Sequence, residues 1–199
     1  ALDAGQFSPM LAVNALLIYF EAGNIGRCQQ LRELINQHCP EDQEAVYAFA
    51  CVELARNNYA EGFRLMEARY QMPEQSRFVN LSLLQKPRWT GQDLTGKRLL
   101  VHGEQGLGDM IMMARYFPLI EQLGADVLVD ARPEVLSLLT HNFPNCKFIA
   151  TEIQTPISES FDYWTGIMSL PFHFQSSVNN VPFVQGYISA PEEQSRYWS

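Results

Sequence analysis

Basic side chains are scarce in this sequence, and nowhere do they gather. The 199 residues include 14 Lys and Arg against 22 Asp and Glu, for a formal charge of −8. The cations divide evenly, seven in residues 1–86 and seven in residues 87–199, with no basic patch in either part. A nucleic-acid backbone needs such a patch, so nucleic acid is not an expected partner. The four cysteines (Cys28, Cys39, Cys51, Cys146) lack CxxC spacing and have no histidine cluster beside them. They read as free thiols of a reducing, cytoplasmic protein rather than disulfides or metal ligands, and no metal is expected. Long apolar runs are missing too. The longest near the N-terminus, Met10 to Phe20, is broken by Asn14, has no cationic leader and is too short to span a bilayer. What remains is an ordinary globular composition, 47% hydrophobic and 18% charged, which argues against long disorder.

The first part of the chain repeats. A shift of 34 residues lays Ala22–Leu31 on Arg56–Leu65, so that Asn24 falls on Asn58, Ile25 on Tyr59, Gly26 on Ala60 and Leu31 on Leu65. Upstream, Leu16 falls on Ala50 and Phe20 on Leu54. Each unit reads as two helices joined by a short turn. Pro9 opens the first helix, Ala22-Gly23-Asn24 closes it, and Ile25 to Gln37 form the second; Glu44 to Arg56 and Tyr59 to Tyr70 repeat the pattern. With this period and these small residues at close contacts, the segment resembles the tetratricopeptide repeat, although a plain helical bundle shares the spacing. Residues 72–88 read as a connector, partly helical at Phe78 to Leu84, and Trp89 and Leu94 as anchors that pack a loop onto the next domain.

From Lys97 the pattern becomes strand, helix, strand, helix. Strands are expected at Arg98–His102, Ala125–Asp130, Lys147–Ala150 and Phe161–Thr165, giving a parallel α/β sheet. A helix from about Leu107 to Leu123 should kink near Arg115 because Pro118 lies inside it. Pro133 begins another, and Gly166 to Leu170 a short one that Pro171 stops.

Between the first strand and its helix lies GEQGLGD, Gly103 to Asp109. It holds the one ordered set of polar side chains in the chain, Glu104, Gln105 and Asp109, in a turn whose free N–H groups suit an anionic or polyhydroxylated ligand. One reading is structural: Gly106 and Gly108 allow a tight turn, and Asp109 complements the helix dipole. Another is dinucleotide binding, with Asp130 at the end of the second strand on a ribose hydroxyl. Against it stand the GxxGxG spacing and carboxylates at Glu104 and Asp109 that repel a pyrophosphate. His102 ends the first strand at the edge where open α/β sheets bind ligands; a satisfied structural histidine is the competing reading.

A third reading comes from resemblance. GFRLMEARY (Gly62–Tyr70), PRWTGQDLTGKRLLVHGEQGLGDMIMMARY (Pro87–Tyr116), FDYWTGIMSLP (Phe161–Pro171) and VPFVQGYISA (Val181–Ala190) together resemble a bacterial family of tetratricopeptide-repeat proteins. Their C-terminal region is similar to heptosyltransferase-like glycosyltransferases of family nine. The resemblance implies tetratricopeptide-like helical hairpins over residues 1–86, docking a protein or peptide. Over residues 87–199 it implies a Rossmann-like parallel α/β domain, the acceptor-side half of a GT-B fold. It implies Asp109 as catalytic base, with Glu104, Gln105, Gly106, Gly108 and Arg115 as substrate contacts. No cofactor is implied beyond a nucleotide-sugar donor. The donor domain of the family would follow Tyr197-Trp198, so this stretch is expected to be a piece of a longer enzyme and inactive alone. A non-catalytic repeat scaffold and a nicotinamide-dependent oxidoreductase are the alternatives.

Overall fold

A computed structural model describes residues 9–72, 81, 84–104, 106–150, 157–192 and 196. The chain divides into two compact units, Ala1–Arg77 with Ser176–Asn179, and Phe78–Gln175 with Asn180–Ser199. On this division the end of the connector, Lys86 and Pro87, groups with the second unit. The reason is visible in the backbone: Lys86 and Pro87 accept hydrogen bonds from Trp164, and the Trp89 N–H donates to Trp164 O at 2.7 Å. Those bonds make the connector's end a partner of the second unit's sheet.

The first unit is helical. Helices α1 (Pro9–Glu21), α2 (Ile25–His38), α3 (Gln43–Ala55) and α4 (Tyr59–Met66) follow one another, and a 3-10 turn, Glu67–Tyr70, extends α4. Both hairpins start their helices at positions 34 residues apart, 9 and 43, then 25 and 59. The residues before the second helices share one backbone shape: Asn24 has φ −86° and ψ 70°, Asn58 φ −85° and ψ 65°. Equivalent positions are buried in both, Leu16 with Ala50 and Leu31 with Leu65.

The two hairpins differ in how they use that asparagine. Asn24 caps α2 by accepting from the Arg27 N–H at 3.2 Å. Asn58 instead donates to Glu53 Oε2 at 2.7 Å, while Arg32 holds Oε1 at 2.9 Å. Glu53 is buried, and this set of donors offsets the cost of removing its carboxylate from water. Gly62 is required by packing, since a Cβ there would lie 2.7 Å from the Leu54 side chain.

The second unit is α/β. Strands β1 (Arg98–His102), β2 (Asp126–Ala131), β3 (Lys147–Ala150) and β4 (Tyr163–Gly166) form one all-parallel sheet in the order β3-β2-β1-β4. Buried Leu99, Leu100, Val101, Val127, Leu128 and Val129 run through β1 and β2, the continuous apolar pattern of strands covered on both faces. After β1 come α5 (Leu107–Met113), a 3-10 turn at Ala114–Tyr116 and α6 (Phe117–Gln122). The expected single helix is therefore two. Pro118 sits in the first turn of α6, where its missing N–H has no partner to lose, and the break falls just before it. Helix α7 (Pro133–Asn142) joins β2 to β3.

After β4 a 3-10 turn, Ile167–Ser169, leads into α8 (Leu170–His173). Pro171, expected to stop a helix, lies in the first turn of α8 instead, for the same reason as Pro118. Trp89 is buried, donates from Nε1 to Gln92 O at 2.9 Å and lies 4.5 Å from the His173 ring, so it anchors its loop on this end of the unit. Among the described residues, no helix is long and apolar enough to cross a membrane.

Candidate functional site

The strand order reverses at β1: β2 and β3 lie on one side of it, β4 on the other. In open parallel sheets, the loops leaving the carboxyl ends of strands on either side of such a reversal diverge and leave a crevice. The register puts His102 at this end of β1, opposite Asp130 of β2 and Gly166 of β4. The Gly103 to Asp109 turn therefore begins at the reversal point.

Asp130 is 1% exposed. One carboxylate oxygen, Oδ2, meets His102 Nδ1 at 2.5 Å, and the other, Oδ1, accepts from the Gly103 N–H at 2.5 Å. A buried carboxylate is costly unless its oxygens are satisfied, and here both are engaged by the strand beside it. Asp130 is thus committed to the β1 edge and is not presented to a ribose, which corrects the role given to it in the dinucleotide reading. Burial pulls the His102 pKa down. The hydrogen bond and charge of Asp130, with the charge of Glu104, outweigh that pull and hold it above the ordinary histidine value. Gly103 completes the junction: a Cβ on it would lie 2.6 Å from the Asp130 carbonyl oxygen and 3.0 Å from Met110 Cε, so no larger residue fits.

Glu104 is 2% exposed, and its Oε1 accepts from the Met168 N–H at 3.3 Å. Glu104 thus holds a structural bond at the place where the resemblance implies a substrate contact. The 3-10 turn after β4 begins with N–H groups that need an acceptor, and Glu104 supplies one from across the sheet end. Gln105 lies outside the described residues.

Asp109 stands in the first turn of α5, half-buried, with Oδ2 accepting from the Gly106 N–H at 2.9 Å. That bond fixes the rotation of the carboxylate. Its other oxygen takes no partner among the described residues, so Asp109 is oriented without being used up. Gly106 has φ −88° and ψ 166°, a conformation open to any residue, and Gly108 has nothing within 4 Å of where a Cβ would stand. Neither the backbone nor packing demands glycine at 108. Its absence of a side chain leaves room beside Asp109.

Arg115 is not brought to this turn. It lies in the 3-10 turn Ala114–Tyr116 that follows α5, six residues beyond Asp109. Its Nε donates to Met112 O at 2.9 Å, and its guanidinium lies 4.6 Å from the centre of the Tyr187 ring. Tyr187 in turn donates to Ile111 O at 2.8 Å. In this structure Arg115 fastens residues near 187, because the break after α5 exposes carbonyls that need donors.

The cysteines are all free, with Cys28 and Cys146 buried. Burial pushes all four thiols up, and Glu121 adds to the effect at Cys146, so none is an activated nucleophile.

The residue that sequence reasoning missed is Asp130 in its observed role. The signal was available: RLLVH and DVLVD are apolar runs of equal length, and aligning their ends in parallel places His102 beside Asp130.

Among known proteins, the chain is similar to Protein FlbA of Caulobacter vibrioides, with 33% identity over 146 residues, 64% of this chain and 24% of FlbA. It thus spans about a quarter of that protein's length. No family model matches the chain, and no solved structure matches it.

Proposed function

We propose that the chain belongs to a glycosyltransferase of the GT-B type, with residues 78–199 forming its Rossmann-like acceptor side. Asp109 takes the proton from an acceptor hydroxyl as that oxygen attacks the anomeric carbon of a nucleotide sugar. The observation that carries this reading is the state of Asp109. One oxygen is fixed by the Gly106 N–H, the other has no partner among the described residues, and bare Gly108 stands beside it at the reversal of strand order. An inverting transfer needs a carboxylate of that kind, oriented and reachable. Tetratricopeptide-like hairpins in residues 1–77 hold a protein acceptor or partner. The shared backbone shape at Asn24 and Asn58 supports their reading as one repeated unit.

A second reading has its own support. Glu104 and Asp109 both perform structural bonds, and those bonds alone give a reason for carboxylates in the turn. In that case the chain is a scaffold whose repeats bind peptide. The full-length protein incubated with a panel of nucleotide sugars decides between them. Release of free nucleoside diphosphate, stimulated by a hydroxyl acceptor, supports the transferase. Peptide binding with no release from any donor supports the scaffold.

A further inference from the structure

The His102–Asp130 pair has no part in the reading above, and its construction is that of a working imidazole. Nδ1 is tied to a carboxylate that is itself 1% exposed, which fixes the ring's orientation and leaves Nε2 as the group's remaining polar atom. Nε2 has no hydrogen-bond partner among the described residues, and the His102 side chain keeps 21% of its surface exposed. The ring closes the carboxyl end of β1, directly before the turn that carries Asp109.

We infer that His102 Nε2–H is a ligand contact, donating a hydrogen bond to an uncharged, polyhydroxylated acceptor held beside Gly106–Asp109. This rests on the glycosyl-transfer reading of that turn and adds to it a residue and a substrate class. The class follows from charge. Residues 103–110 contain two carboxylates and no Lys or Arg, and Asp130 adds a third carboxylate behind His102. Arg115, the nearest following cation in the sequence, is fastened against Tyr187. A phosphate or carboxylate ligand meets repulsion from this set, whereas a sugar hydroxyl needs an acceptor for its proton and a donor for its lone pair. Asp109 provides the first and the Nε2–H of His102 the second. Asp130 also favours the charged ring, holding the His102 pKa above the ordinary histidine value.

The test uses the 199-residue chain, isotopically labelled, with the His102 ring and the Gly106–Asp109 amides followed by NMR. Methyl α-glucoside is the neutral probe and inorganic phosphate the anionic one. Joint movement of the His102 ring signals and the turn amides with the glucoside, and not with phosphate, is the expected result. Asp130→Asn should lower the His102 pKa and weaken glucoside binding about tenfold, as the loss of one good hydrogen bond does. Movement of the turn amides without His102 overturns the assignment of His102 and leaves the acceptor site standing. A response of His102 to phosphate instead of glucoside overturns the neutral class. Silence of both sets with both probes removes the contact and the acceptor site together. If Asp130→Asn unfolds, His102→Gln serves: its side-chain amide keeps an N–H donor, and partial retention of glucoside binding is then expected, with full retention counting against the contact.

Discussion

At the scale of single residues, the two ends of the turn obey opposite rules, and mutation exposes the difference. Gly103 is enclosed by the Asp130 carbonyl and Met110, so Gly103→Ala should cost about 1–3 kcal/mol, read from chemical denaturation. Gly108 faces open space within α5, so Gly108→Ala should be neutral or stabilising, by at most about 1 kcal/mol. A loss of activity in that variant without loss of stability would then report on the ligand's approach. His102 supplies a pH dependence whose sign is fixed. Its folded pKa lies above the unfolded one, so its stabilisation is fully present below the unfolded value and is lost as pH rises through the folded value. Asp130→Asn should flatten that part of the stability profile, which urea midpoints across the neutral range will show.

Elements of the fold were legible to different depths. The strands and the 34-residue offset were readable because both depend on periodic burial, which the sequence writes directly. Prolines were harder. Pro171 reads as a stop in a linear scan, yet in the structure it starts a turn, because a proline N-terminal in a helix loses no bond. The side-chain bonds at the carboxyl edge were less legible still. Glu104 reads as a ligand group because it is charged and sits among glycines, and Asp130 because it is acidic and ends the second strand. Their partners, Met168 and His102, lie 64 and 28 residues away and are brought near only by strand register. Within the first unit, the two equivalent asparagines should not be equivalent in stability. Asn24→Ala removes a cap, worth about 1 kcal/mol. Asn58→Ala takes a donor from buried Glu53 and should cost more, about 1–3 kcal/mol. Thermal denaturation of the pair tests whether the repeat is uniform in shape but uneven in energy.

For the molecule as a whole, charge constrains partners before any site is considered. A net charge of −8 and a sequence pI near 5.0, with no run of Lys and Arg in these 199 residues, disfavour a polyanion as their partner. Electrophoretic mobility shift with DNA or RNA should show no binding at physiological salt, and none should be recruited by lowering it moderately. A parallel sheet that reverses its order at β1 and a repeat of helical hairpins make two units, each with its own core. The transferase reading gives them separate tasks, recognition for the repeat and proton transfer for the turn. The second task depends on Asp109, and asparagine there is a clean probe, because its Oδ1 still accepts from the Gly106 N–H while it can no longer act as a base. The direct measurement is nucleotide-sugar turnover by full-length protein carrying Asp109→Asn, alongside its melting temperature. If Asp109 is the base, kcat falls by about 10²–10⁴ with the melting temperature nearly unchanged; equal turnover by the variant and the parent protein removes Asp109 from the chemistry.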